Sequence, residues 1–332
     1  MKSLLAEAWR LEPFVPPFTF SAFFSPEDTL LCVCAAESAR NLLHAWSGGE
    51  LDLRIAELTS GSGLVGLYLL RETAGERRQA GGGSSLLGLD VDEEAAAIAT
   101  QNAKTLGIDS RARFVCSDIW SPQTVELLRI EKPQLLVCNP PYVPEPSEKA
   151  MEPEAGAGPH GTAHLLRAIE LTRELQPDVL ALSWCSLSDP MGIIAAAEAA
   201  GYHLIDLFVT AIADGEYSGS VHDYLRGLDD CYINEQPDTL AVIASDGAAR
   251  FAYLLFAGVF VRGRRASLLS PPGPLVKVLC HNFVRDGISA LASELPRTAY
   301  ASVHRYMLTR WDELQLRVML HGVPTRSARS KA

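Results

Sequence analysis

The segment best equipped for chemistry is Leu135-Leu136-Val137-Cys138-Asn139-Pro140-Pro141-Tyr142. An apolar run of strand character leads straight into two prolines. Proline lacks the backbone donor that a central strand needs, so the strand stops there and a stiff loop begins. A residue preceding proline is held extended, which fixes Asn139 on that loop. The side-chain oxygen of Asn139 and the carbonyl of Pro140 then stand as two fixed acceptors, with the ring of Tyr142 as a flat face beside them. Two acceptors and a ring suit a planar –NH2 group, either a carboxamide or the exocyclic amine of a base.

Three further stretches carry ligand-competent residues after apolar runs. Glu57-Leu58-Thr59-Ser60-Gly61-Ser62-Gly63 reads as a strand-to-helix turn. Gly61 and Gly63 let the chain bend sharply and let a ligand approach the backbone. Gly66 formally completes G-x-G-x-x-G, a weak signal by itself. Asp90, ending Leu86-Leu87-Gly88-Leu89-Asp90, is placed to accept the hydroxyls of a ribose, and Asp92 to cap the helix after it. Between the turn and this strand, Gly81-Gly82-Gly83-Ser84-Ser85 reads as part of a flexible insertion. Asp118, after Phe114-Val115-Cys116-Ser117, can accept from the amine of an adenine.

These residues act together only on a scaffold that gathers them. Short apolar runs at 53–58, 86–89, 112–116, 135–138, 179–184 and 204–209 alternate with helical patterns at 64–71, 93–106, 163–175 and 191–200. That alternation predicts a doubly wound α/β fold of Rossmann-like type, a mostly parallel sheet covered on both faces. Runs at 240–244 and 253–261 are expected to add a terminal hairpin or an antiparallel edge strand. In such a sheet ligands bind beyond the carboxyl ends of the strands, so Gly61, Asp90, Asp118 and Asn139 are expected on one edge. Three parts follow: an aromatic, proline-punctuated segment with a helix over 28–46 within residues 1–50, the sheet domain over 51–262, and a basic, helical extension over 263–332.

With 332 residues, 48% hydrophobic and 21% charged, the chain can build a large core. The net charge of −11 is unevenly spread: from Arg262 onward 12 Lys/Arg face 4 Asp/Glu, so the body is strongly acidic. The basic tail is expected either to meet nucleic acid or to rest on its own acidic body. Seven scattered cysteines without C-x-x-C spacing predict buried thiols, no metal site and a reducing compartment. No apolar run reaches the length of a spanning helix, and Glu7 and Arg10 interrupt any leader-like stretch, so a cytoplasmic protein is expected, with no membrane partner. Walker-lysine and G-x-S-x-G signatures are missing, which excludes P-loop and serine-hydrolase readings.

The combination resembles class I S-adenosylmethionine-dependent methyltransferases, and Asn139-Pro140-Pro141-Tyr142 resembles the N-P-P-Y signature of the amino-methylating, HemK-type branch. Pro26-Glu27-Asp28-Thr29 is similar to the family's P-x-D-[ST] element, and Glu152-Pro153 with Gly156, Gly158 and Gly161 to the segment following its catalytic loop. The resemblance implies S-adenosylmethionine as cofactor, held by Glu57, Gly61, Gly63, Asp90, Asp118 and Asn139, with Asn139, Pro140 and Tyr142 catalytic. It implies methylation of a protein glutamine amide, the acceptor being a translation factor; the alternatives are an adenine amine in DNA or RNA, or a degenerate cofactor-binding scaffold. An NAD-dependent oxidoreductase gives the Asn139 loop no role. The chain departs from the family in two ways. About 50 residues precede the turn, fewer than a helical substrate domain needs, and additional chain follows the sheet domain instead. Thr59 stands where the family's first turn glycine belongs, and a β-branched residue is expected to keep an ordinary backbone conformation there.

Overall fold

Successive strand residues face opposite sides of a sheet, and here both sides are apolar. Leu53, Ile55, Leu135, Val137, Val179 and Ala181 pack on one face, while Ala56, Leu58, Leu136, Cys138, Leu180 and Leu182 pack on the other. Strands of that kind must be covered on both sides, and they are. The computed structural model describes residues 26–48, 52–74, 83–146, 155–185, 187–213, 221, 224, 241–243, 249–263, 275–278 and 317–320.

The order is α1 (Pro26–Trp46), β1 (Arg54–Leu58), α2 (Leu64–Ala74), β2 (Ser85–Asp90), α3 (Glu93–Thr105), β3 (Ala112–Cys116), α4 (Pro122–Glu131), β4 (Leu135–Cys138), α5 (Ala163–Leu175), β5 (Val179–Cys185), α6 (Pro190–Ala199), β6 (Tyr202–Ala213), β7 (Ala241–Ile243), β8 (Ala249–Arg262), β9 (Leu275–Val278) and β10 (Arg317–Leu320). Helices α1 and α2 cover the first face and α4, α5 and α6 the second. The sheet runs β10-β9-β6-β8-β5-β4-β1-β2-β3, with β7 paired to β8. Strands β5, β4, β1, β2 and β3 are mutually parallel, so their carboxyl ends share one edge.

The antiparallel strand expected near 253–261 is β8, and it pairs with both β5 and β6 instead of lying outermost. The physical reason is its composition. Residues 255–261 are buried throughout, on both faces, which an interior position satisfies and an edge would expose. Helix α4 was not anticipated; Ser121 caps it by accepting from the Thr124 N–H, with Pro122 in its first turn. Most of the segment 13–26, the 75–82 insertion and most of 263–332 lie outside the described residues. Within 263–332 the described elements are β9 and β10, which extend the sheet beyond β6. No helix among the described residues is long and apolar enough to cross a membrane.

Candidate active site

Four adjacent parallel strands, β4, β1, β2 and β3, deliver the site residues to one edge. Leu58 is in register with Cys138, Leu58 with Leu89, and Asp90 with Cys116. The loops bearing Asn139, Gly61, Asp90 and Asp118 therefore leave the sheet side by side.

The turn after β1 is held from two sides. The Ser60 N–H donates to the Leu89 carbonyl at 3.0 Å, and the Gly63 N–H to the Ser60 carbonyl at 2.8 Å. Asp90 closes it: Oδ2 accepts from the Gly61 N–H at 2.7 Å and Oδ1 from the Asp92 N–H at 3.0 Å. Each carboxylate oxygen keeps a further lone pair for a ligand. Burial raises the pKa of Asp90, and the two backbone donors oppose the rise. Gly63 has φ +76, and a Cβ there would lie 2.7 Å from the Phe114 ring. Glu57 lies underneath, 3% exposed, its Oε2 accepting from the Gly66 N–H at 3.0 Å in the first turn of α2. Burial pushes its pKa up to about 8, against that hydrogen bond and with help from the charge of Asp90.

The expectation for Thr59 is overturned, because its φ is +53, in the left-handed region. The chain must turn there for Ser60 to reach Leu89 across the sheet, so the fold imposes the conformation whatever the side chain. The Thr59 hydroxyl offsets part of the strain by donating to the Leu58 carbonyl at 2.5 Å. It also lies 3.9 Å from the Cys138 sulfur.

At the end of β4, Asn139 is half-buried and Pro140 buried. Asn139 Nδ2 donates to Asp28 Oδ2 at 3.3 Å, whereas Asn139 Oδ1 is buried with no hydrogen-bond partner among the described residues. Asp28, 3% exposed in the first turn of α1, belongs to the Pro26-Glu27-Asp28-Thr29 element, to which sequence reasoning gave no task. Tyr142 is 7% exposed, part of the core cluster that includes Leu187 and Val221. Most of the expected stacking face is thus covered in this arrangement. The glycine-rich return packs against the loop: Gly158 N–H donates to Glu145 Oε1 at 3.1 Å. A Cβ on Gly161 (φ +66) would stand 2.3 Å from the Tyr142 carbonyl. Glu152 and Pro153 lie outside the described residues, and His160 is exposed.

Asp118 is exposed and accepts from the Trp120 N–H at 2.9 Å. Next to it lies a residue that sequence reasoning missed. His164, second in α5, meets Trp120 edge-on at 4.9 Å, and its Nδ1 is buried without a hydrogen-bond partner among the described residues. Burial lowers its pKa, and the charges of Asp118 and Glu145 oppose this. Direct hydrogen bonds join Gly61 to Asp90 and Asp28 to Asn139; Asp118 joins these pairs only through strand order.

No protein-family profile matches the chain. Curated relatives do. A release factor glutamine methyltransferase of Rhodospirillum rubrum is 37% identical over 101 residues, 30% of this chain and 27% of that protein. A tRNA1(Val) (adenine(37)-N6)-methyltransferase of Enterobacter sp. is 31% identical over 139 residues, 41% of this chain and 51% of that protein. Both relatives are methyltransferases by name, and the matched segment of this chain is similar to part of each. The chain spans only 27% and 51% of the length of these two relatives. Among solved structures, a SAM-dependent methyltransferase from Agrobacterium tumefaciens superposes with a TM-score of 0.40 at 12% identity, covering 74% of this chain and 66% of that one. The Asn139 oxygen, without a hydrogen-bond partner among the described residues, lies beyond β4, the strand that pairs with β1 and so runs beside the glycine turn.

Proposed function

We propose that the chain is an S-adenosylmethionine-dependent methyltransferase acting on a planar –NH2 nitrogen, with a protein glutamine amide as the favoured acceptor. The observation that supports it best is Asn139 Oδ1, a buried acceptor with no partner among the described residues. An unsatisfied buried polar atom costs roughly 1–3 kcal/mol, and an N–H donor from a substrate removes that cost. The residues fit the cofactor: a sharp turn at Gly61 and Gly63, both at positive φ, spare acceptor capacity on Asp90 for the ribose, and the exposed Asp118 for the adenine amine. Glu57 carries the turn from beneath.

The bound cofactor supplies an electrophilic methyl group on a sulfonium. The task of the chain is orientation. Asn139 Oδ1 and the Pro140 carbonyl accept the two hydrogens of the acceptor nitrogen, which aims its lone pair along the line of transfer. No acid would be required for the leaving group; as the nitrogen forms its bond to the methyl carbon and the carbon–sulfur bond breaks, one of the two nitrogen hydrogens would leave as a proton to water. Transfer from tritiated S-adenosylmethionine into cell lysate, split into protein and nucleic-acid fractions, tests the reading. Label in protein, mapped to a glutamine side chain, is the expected result. Label in neither fraction, from a chain that binds the cofactor, would leave a cofactor-binding scaffold instead.

A second acceptor, an adenine amine in RNA, draws support from Trp120, 48% exposed beside Asp118. A surface indole there offers a stacking platform for a base. The acidic body weighs against a broad phosphate-binding surface, and the basic residues from Arg262 onward are the part of the chain able to supply one. Cys32, Cys34, Cys138 and Cys185 are free and buried, as expected of thiols in a reducing, cytosolic setting, whereas Cys116, at the end of the edge strand β3, is exposed.

A further inference from the structure

The amide of Asn139 has two chemically different ends, and the proposed reaction uses one of them. Its oxygen accepts; its nitrogen only donates and offers nothing to an incoming –NH2 group. The two ends are nearly equal in size, so packing alone discriminates poorly between an amide and its flipped form. Two features restrict Asn139. Pro140 stiffens its backbone, and the carboxylate of Asp28 faces its nitrogen at 3.3 Å. A carboxylate accepts and does not donate, and it sits here in the first turn of α1, at the positive end of the helix dipole. A flipped amide would set its oxygen against a carboxylate that is only 3% exposed. The repulsion is strong because little water screens it.

We propose that Asp28 is a positioning residue that locks the Asn139 amide with Oδ1 towards the acceptor nitrogen and polarises that oxygen. The inference rests on the methyltransferase reading and goes beyond it by giving a task to a residue 111 positions away in the chain. A carboxylate drawing on Nδ2 strengthens Oδ1 as an acceptor, since linked hydrogen bonds polarise one another.

The test needs no acceptor substrate. Sinefungin and S-adenosylmethionine each carry one positive charge at the transfer position, but only the ammonium of sinefungin donates hydrogen bonds. Calorimetry of both ligands on the full chain therefore reads the Asn139 oxygen through the ratio of their affinities. Asp28→Asn is expected to lower the preference for sinefungin about threefold to tenfold. Free flipping alone accounts for a factor of about two, and the rest comes from lost polarisation. In an Asn139→Ala background the preference is already low, and Asp28→Asn is expected to change it no further. An equal loss for both ligands, or no loss, overturns the lock, because a field or packing effect moves both affinities together. Should circular dichroism show Asp28→Asn to be unfolded, Asp28→Ser puts the same question with a smaller uncharged group. If the wild-type chain binds neither ligand, the methyltransferase reading itself fails, a result distinct from an unchanged ratio.

Discussion

Thr59 sits where β1 hands over to α2, with φ +53, a conformation that β-branched side chains resist. Strain of this kind costs about 1–3 kcal/mol and persists only where the surroundings enforce it. Thr59→Gly is therefore expected to leave stability unchanged or raise it by up to about 1 kcal/mol, after allowing for the greater freedom of an unfolded glycine. Thr59→Val keeps the branching, loses the hydroxyl bond to Leu58, and is expected to destabilise. Urea midpoints check both, and a clear loss of stability in Thr59→Gly would contradict the strain account. At Asn139 the expectation concerns chemistry. Asn139→Ala should reduce cofactor affinity only modestly and methyl transfer by about a hundredfold, as for other orienting groups. Single-turnover rates beside calorimetry separate the two. A parallel loss of stability and rate would instead mark Asn139 as part of a structural turn.

At the level of elements, the turn after β1 and the end of β2 form one unit, because Asp90 bonds the Gly61 N–H directly. Asp90→Ala is expected to weaken cofactor binding by about 1.5–3 kcal/mol and also to lower stability by about 1 kcal/mol, since the turn loses its closing acceptor. Calorimetry and thermal unfolding measure the two losses, and unchanged affinity in a folded variant would remove the ribose assignment. Much of this unit was legible in the sequence. The runs that became β4 and β5 stand out because both faces of the sheet demand apolar residues there, and Asp92 accepts from the Glu94 N–H as its N-cap position predicts. Helix α4 escaped notice because few of its side chains are buried, chiefly Thr124 and Leu128, leaving a weak apolar stripe. The Ser121-Pro122 pair was the readable signal. The contact of Asp28 with Asn139 was not legible, because no periodicity links the first turn of one helix to the end of a strand 111 residues away. Nor was the conformation of Thr59, which is set by a hydrogen bond across the sheet and not by local preference.

Over the whole molecule, two apolar layers meet along the sheet, and Glu57 is an ionisable group placed in that dry interior. Its carboxyl is raised from an ordinary 4.5 to about 8, chiefly by burial. The sign of the linkage follows. Below about pH 4.5 the folded and unfolded chains both hold the proton, and folding bears no penalty from this group. As pH rises towards 8 the unfolded chain sheds the proton while the fold retains it, so stability falls across that window. The slope from one such group is at most about 1.4 kcal/mol per pH unit. Other carboxylates titrate as well, so the comparison must cancel them. Glu57→Gln keeps an acceptor for the Gly66 N–H and has no proton to exchange. Measured by urea denaturation at intervals from pH 5 to 8, the variant is expected to gain on the wild type steadily as pH rises, with the gain levelling off near pH 8. A constant difference across the range would show that Glu57 ionises in the fold as readily as in the unfolded chain. The floor of the turn after β1 would then be wetter than the 3% exposure of Glu57 indicates.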